Sequence, residues 1–97
     1  MSKNPLKRVS VRYEGYVQGV GFRYSAVSLA AQYPVTGYVQ NLSDGKVLLV
    51  AEGDETHLLG LLQDIKASHL GQYIRSEDVS WGLGTGEFKT FAVRYGY

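Results

Sequence analysis

Gly15-Tyr16-Val17-Gln18-Gly19-Val20-Gly21-Phe22-Arg23 stands where the chain changes its hydrophobic period. Upstream, residues 7–14 alternate. Val9, Val11 and Tyr13 point one way and Arg8, Ser10, Arg12 and Glu14 the other, the pattern of a half-buried strand. Downstream, Phe22, Ala26, Leu29, Ala30 and Tyr33 share one helical face, and Pro34 predicts a helix end near Tyr33. The stretch is thus a glycine-rich turn between a strand and a helix. Glycine accepts positive φ and lets the main chain come close to a ligand. Successive N–H groups in such a turn converge as an anion nest, and the start of the helix adds partial positive charge. Arg23 adds a permanent, planar, bidentate cation. Together they predict a site for a small dianion, most naturally a phosphoryl group. No Gly-Lys-Ser/Thr follows, so this is not a Walker loop, and the glycine spacing is not that of a dinucleotide fingerprint. The plainer reading, a permissive strand-to-helix connection, stays open at this point.

The remaining elements follow outward. Residues 35–41 and 46–51 read as two strands joined by a tight turn carrying Asp44-Gly45, a strong hairpin signal. Asp54 is the expected N-cap of a second helix, with Leu58, Leu61, Leu62 and Ile65 as its apolar stripe and Gly71 just beyond its end. Val79, Trp81 and Leu83 alternate, as do Phe91, Val93, Tyr95 and Tyr97, with Gly82-Leu83-Gly84-Thr85-Gly86-Glu87 between these last strands. The order is βαββαβ with a further C-terminal strand. It predicts an α+β, ferredoxin-like sandwich, a mostly antiparallel sheet with two helices on one face. One domain over residues 1–97 is expected, with residues 1–6 as a flexible lead. Such a fold hosts many functions, so the site must decide.

A second segment, Gly37-Tyr38-Val39-Gln40-Asn41-Leu42-Ser43-Asp44-Gly45-Lys46-Val47, supplies the other half of a site. Asn41 falls where a strand runs into its turn, and its amide both donates and accepts, as a group holding an attacking water must. A turn residue bonding its own backbone is the alternative for Asn41. The Asn41-Leu42-Ser43 acceptor pattern for glycosylation is taken as accidental, since the N-terminus lacks the apolar segment of a secretory signal.

The two segments, Gly15-x-Val17-Gln18-Gly19-Val20-x-Phe22-Arg23 and Gly37-x-Val39-x-Asn41-x-x-Asp44-Gly45-x-Val47, resemble the two signature motifs of acylphosphatases. Order, spacing and length agree from about Val9 to Tyr95. The resemblance implies hydrolysis of a carboxyl–phosphate bond without metal or cofactor. By position it makes Arg23 the phosphate-binding residue and Asn41 the residue that orients the water. It makes Gly15, Gln18, Gly19, Val20, Gly21 and Phe22 the substrate-binding loop, with a cradle of backbone amides from about Gln18 to Arg23. An acyl phosphate expels a carboxylate whose conjugate acid has a pKa of about 4 to 5, so no general acid is needed. A loose phosphoryl-transfer transition state asks for little activation of water, which leaves positioning and charge stabilisation to the protein. The chain departs from the family pattern at Tyr16, Pro34, Tyr38 and Gln40, which touch neither Arg23 nor Asn41 and put substrate preference in question.

Composition narrows the classes. The 97 residues are 44% hydrophobic and carry no cysteine, so no disulfide framework or Cys-ligated zinc is available, in keeping with a reducing compartment. No apolar run reaches membrane-spanning length. A net charge of +1 is a poor match to a general nucleic-acid binder. A cytoplasmic monomer acting on a small acyl phosphate is expected, with phosphate or sulfate as the anion it binds and with neither nucleic acid nor membrane as partner. RNA recognition, which shares the βαββαβ order, needs aromatics on its third strand, and residues 46–51 have none. A phosphate-sensing or carrier-docking module with slow turnover is the remaining alternative, since acylphosphatase-like domains also head large hydrogenase-maturation proteins. His57 and His69 lack a third ligand at metal spacing and read as solvated or helix-end residues. Ser25 and Ser28 have no histidine nearby in sequence, and Lys7, Arg8 and Arg12 read as a solvated face. Eight tyrosines exceed what this core requires.

Overall fold

The alternation that opens the chain buries one face of a strand almost completely. Val9, Val11 and Tyr13 are each at most 1% exposed in the computed structural model, which describes residues 5–96. That strand, β1 (Lys7–Gly15), is followed by α1 (Phe22–Ala30), β2 (Thr36–Asn41), β3 (Val47–Gly53), α2 (Glu55–Ala67), a 3-10 helix (His69–Tyr73), β4 (Ile74–Leu83) and β5 (Phe91–Arg94). The sheet runs β4-β1-β3-β2-β5, antiparallel throughout except that β5 lies parallel to β2. The expected ferredoxin-like sandwich is present, extended by β5 at one edge. Val39, Val47, Leu49 and Ala51 meet Phe22, Ala26, Ala30, Leu58, Leu61 and Ile65 of the helices in one core. Burying each large apolar side chain there contributes roughly 1.5–3 kcal/mol. Among the described residues no helix is long and apolar enough to cross a membrane.

Several boundaries differ from the sequence expectation, each for a local reason. Helix α1 ends at Ala30, not Tyr33. The N–H groups of Gln32 and Tyr33 reach back to the Leu29 and Ala30 carbonyls, tightening the chain into a turn before Pro34. Tyr33 instead crosses to α2, where its hydroxyl donates to Asp64 Oδ2 at 2.5 Å. Helix α2 stops at Ala67, and Gly71 lies inside the 3-10 helix that Ser68 caps through its hydroxyl, which accepts from the Leu70 N–H at 3.1 Å. Strand β4 begins at Ile74, before its alternation becomes apolar. As an edge strand it leaves Val79, Trp81 and Leu83 42%, 42% and 75% exposed. Strand β5 ends at Arg94, so Tyr95 lies past the strand, and Tyr97 is outside the described residues. The flexible lead expected at residues 1–6 falls largely on positions 1–4, also outside them. Leu6 is tied down, its carbonyl accepting from the Gly84 N–H at 2.9 Å.

Because β4 and β5 lie at opposite edges, residues 84–90 must cross the end of the sheet. A buried carboxylate holds the crossing. Glu52, only 1% exposed, accepts from the Thr85 N–H at 3.0 Å and the Gly86 N–H at 2.9 Å. Arg8 Nε donates to the same carboxylate at 2.7 Å, and Arg8 Nη2 pairs with Glu87. Burial pushes the Glu52 carboxyl up, but the two backbone donors and the Arg8 guanidinium outweigh it and hold it below the usual carboxylate range. The expectation of a solvated face at Arg8 is thereby corrected: strand register sets Arg8 directly opposite Glu52, and the pair neutralises itself.

Candidate active site

The glycine-rich loop is built from both ends inward. Gly15 closes β1 where its register against β4 shifts, and the Tyr16 N–H is fixed to the Tyr73 carbonyl at 2.9 Å. Val17 is 1% exposed and anchors the loop in the core. Gly19 and Gly21 then take φ of +79° and +78°, a left-handed backbone that residues with a Cβ adopt only at a cost. A Cβ at either position would meet nothing within 4 Å, so backbone conformation rather than crowding demands glycine there. Gly21 is also the N-cap of α1, and it brings no side chain to satisfy the first amides of the helix. Those amides and the helix dipole together favour an anion at this end. Phe22, 2% exposed, locks the start of the helix by packing tilted on the Tyr13 ring at 5.0 Å.

Arg23, half-buried, follows directly. Its guanidinium lies 5.3 Å from the centre of the Tyr95 ring, and the Tyr95 and Tyr24 hydroxyls are hydrogen-bonded at 2.7 Å. That bond raises the Tyr95 pKa, against the opposing pull of the Arg23 charge. Among the described residues no carboxylate pairs with Arg23. Asn41 is the last residue of β2, paired in register with Val47 across the hairpin. The hairpin turn closes through Leu42 N–H to the Lys46 carbonyl at 2.8 Å and Gly45 N–H to the Leu42 carbonyl at 3.2 Å. The Gln18 side chain reaches this turn from the loop, its amide nitrogen donating to both of those carbonyls at 2.8 and 2.9 Å.

Val17, Gly19, Gly21, Phe22, Arg23, Tyr24 and Asn41 line one cleft of about 150 Å³. Of the residues expected at the site, Gly19, Gly21, Phe22, Arg23 and Asn41 therefore come together. Gly15, Gln18 and Val20 are not among the lining residues: Gly15 serves the strand end, Gln18 braces the hairpin, and Val20 packs against the core. A larger hollow of about 390 Å³ shares no lining residue with this cleft and lies between Lys7, Glu55, Leu59, Trp81, Gly82 and Leu83. Its lining holds one cation and one carboxylate beside apolar side chains, a poor match to a dianion. Tyr24 and Tyr95 carried no signal in the sequence beyond the surplus of tyrosines, because only the fold brings the chain end to α1. Ser25, without a histidine near it in sequence, stands 3.4 Å from His69 Nε2 in an exposed pair. His57, expected as a solvated or helix-end residue, stands in the first turn of α2, with its Nδ1 buried and without a hydrogen-bond partner among the described residues. Among the described residues no group of three or more His, Cys, Asp or Glu could hold a metal ion.

Residues 9–93 match the family model for acylphosphatase. An acylphosphatase of Caldanaerobacter subterraneus is 39% identical over 87 residues, covering 90% of this chain and 97% of that protein. One of Methylococcus capsulatus is 43% identical over 88 residues, covering 91% and 96%. The crystal structure of acylphosphatase from Bacillus subtilis superposes with a TM-score of 0.84 at 28% identity, over 92% of this chain and 99% of that one. With both signature segments meeting in one cleft and the likeness running nearly end to end, the chain belongs to the acylphosphatase family.

Proposed function

We propose that this acylphosphatase hydrolyses the carboxyl–phosphate bond of a small acyl phosphate with Arg23 and the backbone amides of residues 18–23 binding the phosphoryl group, while Asn41 orients the attacking water. The observation that carries the assignment is the meeting of Gly19, Gly21 and Arg23 with Asn41, from a separate hairpin, around a cleft of about 150 Å³. Arg23 grips two phosphoryl oxygens at once. The left-handed glycines turn loop amides, and the uncapped amides of α1, toward the remaining charge. The amide of Asn41 accepts a hydrogen bond from the water and donates to a phosphoryl oxygen, which fixes the line of attack. The water oxygen then bonds to phosphorus as the P–O bond to the acyl group breaks. The electron pair leaves with the carboxylate, and the water proton passes to a phosphate oxygen or to solvent. Catalysis here is positioning and charge stabilisation, and each preorganised donor is worth about 3 kcal/mol.

The same reading takes the chain as a single domain and a cytoplasmic monomer, with inorganic phosphate or sulfate as the anion it binds and no cofactor. Benzoyl phosphate hydrolysis in EDTA tests the assignment, with circular dichroism to check each variant. Wild type turns over, whereas Arg23→Ala and Asn41→Ala stay folded and lose at least about 100-fold in kcat/KM. An inactive wild type leaves phosphate binding without turnover as the surviving reading, whereas a fully active Arg23→Ala removes the role given to Arg23.

A further inference from the structure

We propose that the Gln18 side chain is a positioning residue for Asn41: it does not hold substrate but locks the β2–β3 hairpin against the phosphate loop, so that the water-orienting amide keeps its place relative to the bound phosphoryl group. The inference rests on the role given to Asn41 above. Its starting point is that both hydrogens of the Gln18 amide nitrogen are already committed, one to the Leu42 carbonyl at 2.8 Å and one to the Lys46 carbonyl at 2.9 Å. A side-chain amide has two N–H donors and no more. What Gln18 retains is a carbonyl oxygen, which repels a phosphoryl oxygen. Gln18 is accordingly not among the residues that line the cleft, although its neighbours Val17 and Gly19 are.

The two acceptors are placed to matter. Leu42 follows Asn41 directly, and Lys46 precedes Val47, the residue opposite Asn41 in the ladder. The same two carbonyls already accept the turn's own bonds, from the Gly45 and Leu42 N–H groups. Gln18 therefore closes the hairpin from the side at its last rung and ties that rung to the loop carrying Gly19, Gly21 and Arg23. Two segments otherwise independent at their tips become one unit. Orientation of a reacting group is sensitive to displacement: about 1 Å can cost on the order of 100-fold in rate.

The test uses the full chain with benzoyl phosphate as substrate and inorganic phosphate as inhibitor. Gln18→Leu removes both donors, and Gln18→Glu keeps the shape but turns oxygens toward two carbonyls. Both are expected to lower kcat by about 10- to 100-fold. KM and the phosphate inhibition constant should stay within about twofold, because the phosphate cradle is untouched. Adding Gln18→Leu to Asn41→Ala should cost nothing further, since the residue being positioned is already gone. A normal kcat in either folded variant, a weakened phosphate inhibition with kcat kept, or losses that multiply in the double variant each overturn the proposal. A second measurement needs no variant. In the wild type, the Gln18 side-chain amide protons should exchange slowly by NMR and keep their shifts when phosphate is added. Large phosphate-induced shifts would mean that the amide binds the anion directly. An Asn41→Ala enzyme as fast as wild type removes the underlying assignment, and the inference falls with it. An impaired Asn41→Ala beside normal Gln18 variants removes the inference alone.

Discussion

Two glycine-rich loops lie in this molecule, each beside an arginine, and they do opposite things. Gly15 to Gly21 precedes Arg23; Gly84 and Gly86 punctuate the crossing that meets Arg8. Each guanidinium has an aromatic neighbour at nearly the same distance, Phe88 at 5.1 Å from Arg8 and Tyr95 at 5.3 Å from Arg23. At the crossing the anion is part of the chain. The Glu52 carboxylate takes two backbone N–H groups and Arg8, as a bound oxyanion would. At the other loop the arginine meets no carboxylate of the described residues, and two left-handed glycines face open space. An anion site that holds its own anion is a clasp. On the function proposed above, the same kit without a carboxylate of its own serves an anion from solution.

The contrast breaks most easily through ligand linkage. A ligand that binds only the folded state at one hundred times its dissociation constant stabilises it by about 2.7 kcal/mol. For a domain of this size, each kcal/mol moves Tm by about 4–8 °C. Inorganic phosphate at that excess is therefore expected to raise the wild-type Tm by roughly 10–20 °C. Arg23→Ala should lose most of that shift and Glu52→Gln should keep all of it. Differential scanning calorimetry across a phosphate series reads both. A shift that survives Arg23→Ala would mean that the anion binds elsewhere.

The reciprocal experiment sharpens the other half. Glu52→Gln replaces a charged acceptor of backbone bonds by an amide whose nitrogen opposes them, at a cost of about 2 kcal/mol. Turnover per folded molecule should stay within about twofold, since Glu52 does not line the cleft and pairs with Arg8 at the end of β1 away from Gly15. The loss also has a pH signature. The folded Glu52 carboxyl titrates below an unfolded glutamate, whose pKa is about 4.3. Its stabilisation is thus present above that value and fades as pH falls through it toward the lower folded value. Melting curves from pH 7 to pH 3 should show the lead of wild type over Glu52→Gln shrinking below about pH 4.5. A constant gap across that range would show that the charge of Glu52 is not what holds the crossing.

Why one loop was legible and the other was not follows from sequence distance. The strand, helix and hairpin around the Gly15–Gly21 loop are written in local periodicity, and Arg23 sits next to its glycines. Asn41 is marked by the hairpin it ends. Glu52, by contrast, closes a run of apolar strand residues and reads like any polar residue at a strand end. Its partners stand 33, 34 and 44 positions away, and only the sheet register brings them in. Tyr95 is 71 positions from Tyr24 in sequence, although their hydroxyls touch. The boundary errors have the same character. Tyr33 fits the helical face of α1 by spacing, but its hydroxyl is claimed by Asp64, a tertiary contact that no local pattern records.

The smallest effect tests whether the aromatic neighbours are part of the likeness. An exposed cation–π contact is worth about 0.5–1 kcal/mol, or about two- to fivefold in an equilibrium constant. If the Tyr95 ring steadies Arg23 for its ligand, Tyr95→Ala should raise KM for benzoyl phosphate by about that factor, with kcat little changed. Tyr95→Phe keeps the ring and loses only the hydroxyl pair with Tyr24, so it should behave as wild type. If instead Tyr95→Phe matches Tyr95→Ala, the hydroxyl pair is the brace and the ring is incidental. The two arginines would then differ in their aromatic support as well as in their anion. Phe88, which has no hydroxyl, could not support Arg8 in that way; its ring lies 5.1 Å from the Arg8 guanidinium and also packs edge-on against Tyr38 at 5.7 Å.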